Sequence, residues 1–192
     1  MNLHQKIKNC QRCSLHQNMP DGCQPVPGIG PVNAKLFLVG EALGEQESIL
    51  EKPFVGRAGQ LLTVMLENAG IDRDEVYISN VVKCRPTTNN GKKNRPPETQ
   101  EILACKIWLW KELTEIQPRV IITLGGVSSK LLLKVKPSGT MKSIVGEFHK
   151  TDYIQSEIMP CYHPSYLLQH GRDKLEFSVQ CLQNAKERCN ES

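Results

Sequence analysis

The chain has 192 residues, with 24 Lys+Arg against 20 Asp+Glu and a net charge of +4, a length that suits one domain with room for a sizeable core. Hydrophobic residues at 39% and charged residues at 23% exclude a disordered chain, and no apolar run approaches the roughly 20 residues of a membrane helix. The opening MNLHQKIKNCQRC lacks the apolar stretch of a secretory signal, so a cytoplasmic location is expected.

A short polar helix and the Cys10–Cys13 pair lead into a turn-rich stretch from Pro20 to Asn33. Lys35–Val39 (KLFLV) reads as a buried strand, followed by a Gly-containing loop and a helix over about Ala58–Ala69. That helix gathers Leu61, Leu62, Met65 and Leu66 on one face, with Gly70 as its stop. Val76–Val82 (VYISNVV) is a second strand. After a loop rich in Pro, Asn and Lys, Pro97 and Glu98 begin a helix with Ile102, Cys105, Leu109, Leu113 and Ile116 on one face. Arg119–Leu124 (RVIITL) is a third strand, Gly125-Gly126 opens a short helix to about Leu133, and β-like stretches follow near Ile144–His149 and Glu157–Tyr162. A final amphipathic helix starts at about Asp173. Strands alternating with helices predict an α/β fold, a parallel sheet covered on both faces. Ligands of such folds bind beyond the carboxyl ends of the strands.

Eight cysteines are too few for a disulfide scaffold, and in a reducing compartment they point to metal or redox chemistry. Cys10, Cys13, Cys84 and Cys105 form a possible Cys₄ set for zinc or a cubane iron–sulfur cluster. The alternative is that Cys84 and Cys105 are small buried hydrophobes, and the spacing does not choose. Cys23, Cys161, Cys181 and Cys189 read as structural.

The loop GEALGEQE, residues 40–47, lacks the Gly-Lys-Ser/Thr of a phosphate loop and the G-x-G-x-x-G of a dinucleotide site. Phe54, in a Gly-rich polar context, is either a stacking platform for a flat ligand or a core residue. Asn80 near a strand end offers a donor and an acceptor to a base edge, or bonds a neighbouring loop. From Val76 to Pro97 there is no acidic residue, while Lys83, Arg85, Lys92, Lys93 and Arg95 all occur. This is either a phosphate-contacting patch or a solvated loop. In PCYHPSYLL, His163 can donate to a developing anion, Ser165 can bind a phosphate, and Leu167 and Leu168 can wedge between bases. Alone, His163 would be a structural residue.

In their order, CxxC, GEALGEQE, KPFVGRAGQLL, VYISNVVKCRP, ACKIWL, VIITLG and YHPSYLL resemble the family-4 uracil-DNA glycosylases, the iron–sulfur branch of the uracil-DNA glycosylase superfamily. The resemblance runs from about Cys10 to Leu182. It implies a three-layer α/β/α sandwich around a short parallel sheet, one domain over residues 1–192, with the segment 1–34 packed on the cluster site. It further implies a structural [4Fe–4S] cluster on Cys10, Cys13, Cys84 and Cys105, and hydrolysis of the N-glycosidic bond of uracil in DNA by base flipping. Glu41 would lie near the scissile bond, Ala42 would contribute backbone, Phe54 would stack on uracil and Asn80 would read its edge. His163 would stabilise the departing base. Arg57, Lys83, Arg85, Lys92, Lys93, Arg95, Ser165, Leu167 and Leu168 are the expected DNA contacts. The expected partner is uracil-containing DNA, single- or double-stranded, met by a monomer with no membrane, no nucleotide cofactor and no Mg²⁺. Leu43 stands where the family usually has Pro.

Two rival readings differ in chemistry. A related branch that traps uracil-DNA covalently needs a nucleophilic His in the loop TTNNGKKNRPP, and no His occurs between His16 and His149. A cluster- or zinc-stabilised DNA-binding protein without catalysis has no need of Glu41, Phe54, Asn80 and His163 together.

Overall fold

The computed structural model describes residues 1–18, 24–88, 91, 93–134 and 143–191. Lys92 and Cys23 therefore lie outside the described residues. Five strands build the main sheet: β1 (Leu36–Gly40), β2 (Tyr77–Asn80), β5 (Val120–Leu124), β6 (His149–Thr151) and β7 (Ile154–Cys161), in the order β2-β1-β5-β7-β6. The pairings β1–β2, β1–β5 and β5–β7 are parallel, and β6 is an antiparallel edge on β7. A two-residue pair, β3 (Thr87–Thr88) and β4 (Lys93–Asn94), forms a separate hairpin.

Every residue of β1, β2 and β5 is buried, the expected consequence of helices on both faces. On one face, α3 (Arg57–Asn68), α6 (Pro164–His170) and α7 (Arg172–Asn190) pack on Leu36, Leu38, Ile78 and Ile122. On the other, α1 (Leu3–Lys8), α4 (Thr99–Ile116) and α5 (Gly126–Leu133) pack on Phe37, Val39 and Ile121. The expected α/β/α layering holds. Gly70 ends α3 with φ +67, the left-handed conformation that glycine adopts without strain. Glu98 caps α4 in a reciprocal box with Glu101.

Some elements differ from the sequence expectation. Residues expected as loop form the short helix α2 (Glu45–Leu50), and the expected wedge segment is helix α6, with His163 as its N-cap and Pro164 in its first turn. The β-like stretch expected near Ile144–His149 becomes a strand only from His149. On α4, Ile102 is only partly buried, whereas Glu101 and Glu112 are buried.

The topology fixes where a ligand can sit. From β1 the chain crosses to β2 on one side, while from β5 it crosses to β7 on the other. The crevice between such diverging connections lies outside the carboxyl ends of β1 and β5.

Candidate active site

A cavity of about 670 Å³ opens at that crevice. Its wall takes Glu41, Ala42 and Leu43 from the β1 exit, Asn80 from β2, Gly125 and Gly126 from β5, and His163 after β7, closed by Phe54, Arg95 and Ser165. Residues from six separate parts of the sequence thus meet, four of them because parallel strands deliver their carboxyl ends to one edge.

Asn80 is 3% exposed, and its Oδ1 has no hydrogen-bond partner among the described residues. A buried acceptor left unsatisfied costs on the order of 1–3 kcal/mol, so an orphan that faces a cavity marks a place where a ligand donor belongs. Gly40 shapes the same corner. A Cβ there would stand 2.5 Å from both Asn80 Oδ1 and Phe54 Cζ.

Phe54 takes the core position that was one of its two sequence readings, at the edge of the cavity. It is 6% exposed and belongs to the core, yet it also lines the cavity. Its backbone sits at φ +54, unusual for a bulky residue and sustained only where the surroundings enforce it. The enforcement is visible. Arg73 Nη2 donates to the Phe54 carbonyl at 2.8 Å, and Val55 and Gly56 N–H both donate to Glu47 Oε1 at 3.0 and 2.8 Å. Gly59 closes on the same peptide, where a Cβ would stand 2.0 Å from the Phe54 carbonyl. Sequence reasoning missed Glu47 and Arg73, because nothing in their local pattern separates them from ordinary surface charges.

The His163 ring lies 5.9 Å from the Phe54 ring. Its Nδ1 accepts the Ser165 N–H at 3.1 Å and stands 2.7 Å from Ser165 Oγ. A backbone N–H can only donate, so Nδ1 is the acceptor and the proton of the neutral ring is on Nε2. Burial lowers the His163 pKa to about 4, against a weaker upward pull from Glu47. The imidazole is therefore neutral at pH 7 and available as a fixed N–H donor. Gly125, at φ +92, admits it closely, with a Cβ position only 3.1 Å from that of His163. Burial also raises the Glu41 carboxyl above its ordinary range.

The expected DNA contacts divide. Arg57 and Lys93 are exposed, and Leu168 is 47% exposed at the helix α6 surface. Arg95 lines the cavity while paired to Glu101 at 2.5 and 2.8 Å, and Ser165 is exposed but bonded to His163. Three expectations fail on burial. Lys83 is 1% exposed and saturated by internal acceptors, so it cannot reach a phosphate. Arg85, 6% exposed, is engaged with Asn94 and Glu45. Leu167, 5% exposed, packs into the core behind Leu168.

On the far side of β2, Cys84 and Cys105 are buried in the second core, with Cys10 and Cys13 packed against it. All four thiols are free. Burial first, then the neighbouring Cys105, Cys13 and Cys10, pushes the Cys84 thiol far up; burial likewise raises Cys105 to about 11. Two N–H groups point at the sulfurs: Trp108 Nε1 donates to Cys10 Sγ at 3.0 Å and Lys83 N to Cys105 Sγ at 3.3 Å. Among the described residues, no three His, Cys, Asp or Glu side chains stand close enough to hold a single metal ion.

Residues 27–186 match the family model of the uracil DNA glycosylase superfamily. The chain is 38% identical to a type-4 uracil-DNA glycosylase of Pyrobaculum aerophilum, covering 91% of this chain and 87% of that one. It is 41% identical to the type-4 protein of Saccharolobus solfataricus, over 85% of this chain and 74% of that one. Against the type-4 protein of Thermotoga maritima the identity is 37%, over 90% and 85%.

Proposed function

The chain belongs to the uracil-DNA glycosylase superfamily, and from that premise we propose that the cavity beyond β1 and β5 receives a flipped uracil for hydrolytic excision. The protein is a monofunctional uracil-DNA glycosylase acting in DNA repair. The observation that carries the site assignment is the orphaned, buried Asn80 Oδ1 between Phe54 and the β1 exit.

A base stacked in a duplex is out of reach, so the nucleotide swings into the cavity at an unstacking cost of a few kcal/mol. Stacking on Phe54 offsets part of that cost. Uracil presents N3–H as a donor and O4 as an acceptor. The N3–H satisfies Asn80 Oδ1, whereas cytosine brings an unprotonated N3 that leaves Oδ1 unpaired. Rejection by an unpaired buried group is the strongest discrimination a site can build. As the glycosidic bond breaks, both its electrons leave with the base; the sugar becomes oxocarbenium-like and the uracil anionic. His163 Nε2–H stabilises that anion as a preorganised neutral donor. Water adds to the sugar and loses its proton, leaving an abasic site. Glu41, raised in pKa by burial, positions and deprotonates that water. Arg57, Lys93, Arg95 and Ser165 contact the DNA backbone, and Leu168 enters the stack vacated by the base. The reaction so written uses neither nucleotide cofactor nor Mg²⁺.

Cys10, Cys13, Cys84 and Cys105 hold a [4Fe–4S] cluster in this proposal. The donor set fits in chemistry: four free thiols at one core, close enough to perturb one another, with N–H donors on two sulfurs. Bound there, the group would supply a cross-link between the N-terminal segment, the β2 exit and α4, and would take no part in the reaction. Cys105→Ala is expected to lose visible absorbance and to lower the thermal midpoint together, because cluster binding is folding free energy; a colourless variant of unchanged stability and activity removes Cys105 from the ligand set. The glycosylase reading is tested by multiple-turnover excision of uracil from an oligonucleotide.

A further inference from the structure

Lys83 and Glu112 form an ion pair that is sealed from water, at 1% and 0% exposure. The ammonium has three protons and three acceptors: Glu112 Oε2 at 2.6 Å, Ser79 Oγ at 2.6 Å and the Asn80 carbonyl at 2.8 Å. Glu112 is equally well satisfied, accepting also from Ser79 Oγ at 2.8 Å and from Gly28 N–H at 2.7 Å. Buried ion pairs of this kind are poor sources of stability, since apolar pairs of similar volume often replace them at no loss. Stability alone therefore does not explain a buried lysine with all three protons committed to internal acceptors.

One of those acceptors is the peptide carbonyl of the base-reading residue Asn80, and another is the hydroxyl of its neighbour Ser79. The polypeptide leaves β2 at Asn80 and turns, with Val81 N–H on the Gly40 carbonyl and Val82 N–H on the Glu41 carbonyl. Lys83, three residues on, reaches back to the Asn80 carbonyl, while its own N–H is fixed on Cys105 Sγ and its carbonyl on Val26 N–H. The Asn80 backbone is thereby anchored to α4 through Glu112. An amide that reads a base must be aimed to within a fraction of an ångström, and small misplacements originating away from the chemistry cost up to about 10²-fold in rate.

We propose that Lys83, supported by Glu112, is a positioning residue for uracil recognition: it fixes the Asn80 peptide and so aims Oδ1 at the base. The proposal rests on the reading of Asn80 given above. It assigns to Lys83 a role inside the protein in place of the DNA contact that its sequence neighbourhood implied.

The test is a double-mutant cycle with four proteins: the parent, Asn80→Ala, Lys83→Met/Glu112→Leu, and the combination. The apolar pair is expected to lower kcat/KM for uracil excision by about 10- to 100-fold in the parent and by less than about 3-fold when Asn80 is already alanine. The inhibition constant of free uracil rises with it in the parent only, while the thermal midpoint shifts equally in both backgrounds. Equal activity losses in both backgrounds, or no loss in the parent, overturn the proposal. If Asn80→Ala itself leaves excision intact, the reading of Asn80 fails first and takes this inference with it. Should the apolar pair not fold, Lys83→Gln/Glu112→Gln keeps a hydrogen-bonding pair but cannot reach the Asn80 carbonyl, and the same cycle decides with the same outcomes.

Discussion

Asn80→Ala lowers uracil excision by roughly two to three orders of magnitude while leaving affinity for abasic-site DNA nearly unchanged. The asymmetry follows from where Asn80 sits. It is buried at the floor of the cavity, away from the exposed Arg57, Lys93 and Leu168 assigned to the DNA. Its amide meets only a base that has already left the stack. Removing it also removes the penalty of an unpaired Oδ1, so residual activity on cytosine falls less than activity on uracil, and selectivity narrows. Single-turnover excision and gel-shift titration on the same duplexes measure both quantities. Equal losses in excision and binding would take the base-reading role away from Asn80.

His163→Ala is expected to cost about 10²–10³ in kcat, the range for losing one preorganised donor to a developing anion, with KM little changed. The pH dependence separates donor from base. His163 is neutral down to about pH 4, so activity has no inflection at the ordinary histidine value near 6.5. Activity falls on the acid side as Glu41, raised by burial, takes up a proton, and Glu41→Gln flattens that limb while lowering the rate. Stability carries the complementary sign. Between about pH 6.5 and 4 the unfolded chain binds a proton at His163 that the folded chain refuses. Folding stability therefore drops as pH falls through that window, and the His163→Ala variant lacks this part of the drop. A kcat/KM profile inflecting near pH 6.5 would mean that the charged imidazole takes part.

The fold was legible where burial is continuous. KLFLV and RVIITL read as strands because β1 and β5 are covered on both faces and need no polar alternation. The helix after Pro97 read correctly from its apolar spacing. The short helices α2 and α6 are too brief to establish a period, although Pro164 behind a capping His163 was a usable signal. At the site, Asn80 and His163 stand out as unexpected residue types near strand ends, Phe54 by its Gly-rich polar loop, and Glu41 only through the family resemblance; folding brings all four to one cavity. Lys83 and Arg85 were misassigned for a physical reason. A count of basic residues along the chain cannot see an acidic residue that folding brings from Glu112 or Glu45. Glu47, which holds the Phe54 loop by two backbone N–H groups, was hidden in the same way. Its partners are contiguous in space only once α2 has formed.

The central claim is tested most directly by incubating the protein, in chelator, with excess uracil-containing oligonucleotide, then cleaving with alkali and resolving the strands on a denaturing gel. The account predicts alkali-labile product in molar excess over enzyme and far less from the matching cytosine substrate. Product limited to one equivalent in a slow-migrating, denaturant-resistant band before alkali would contradict it in favour of covalent trapping, and the absence of both would leave a protein that binds DNA without cutting the glycosidic bond.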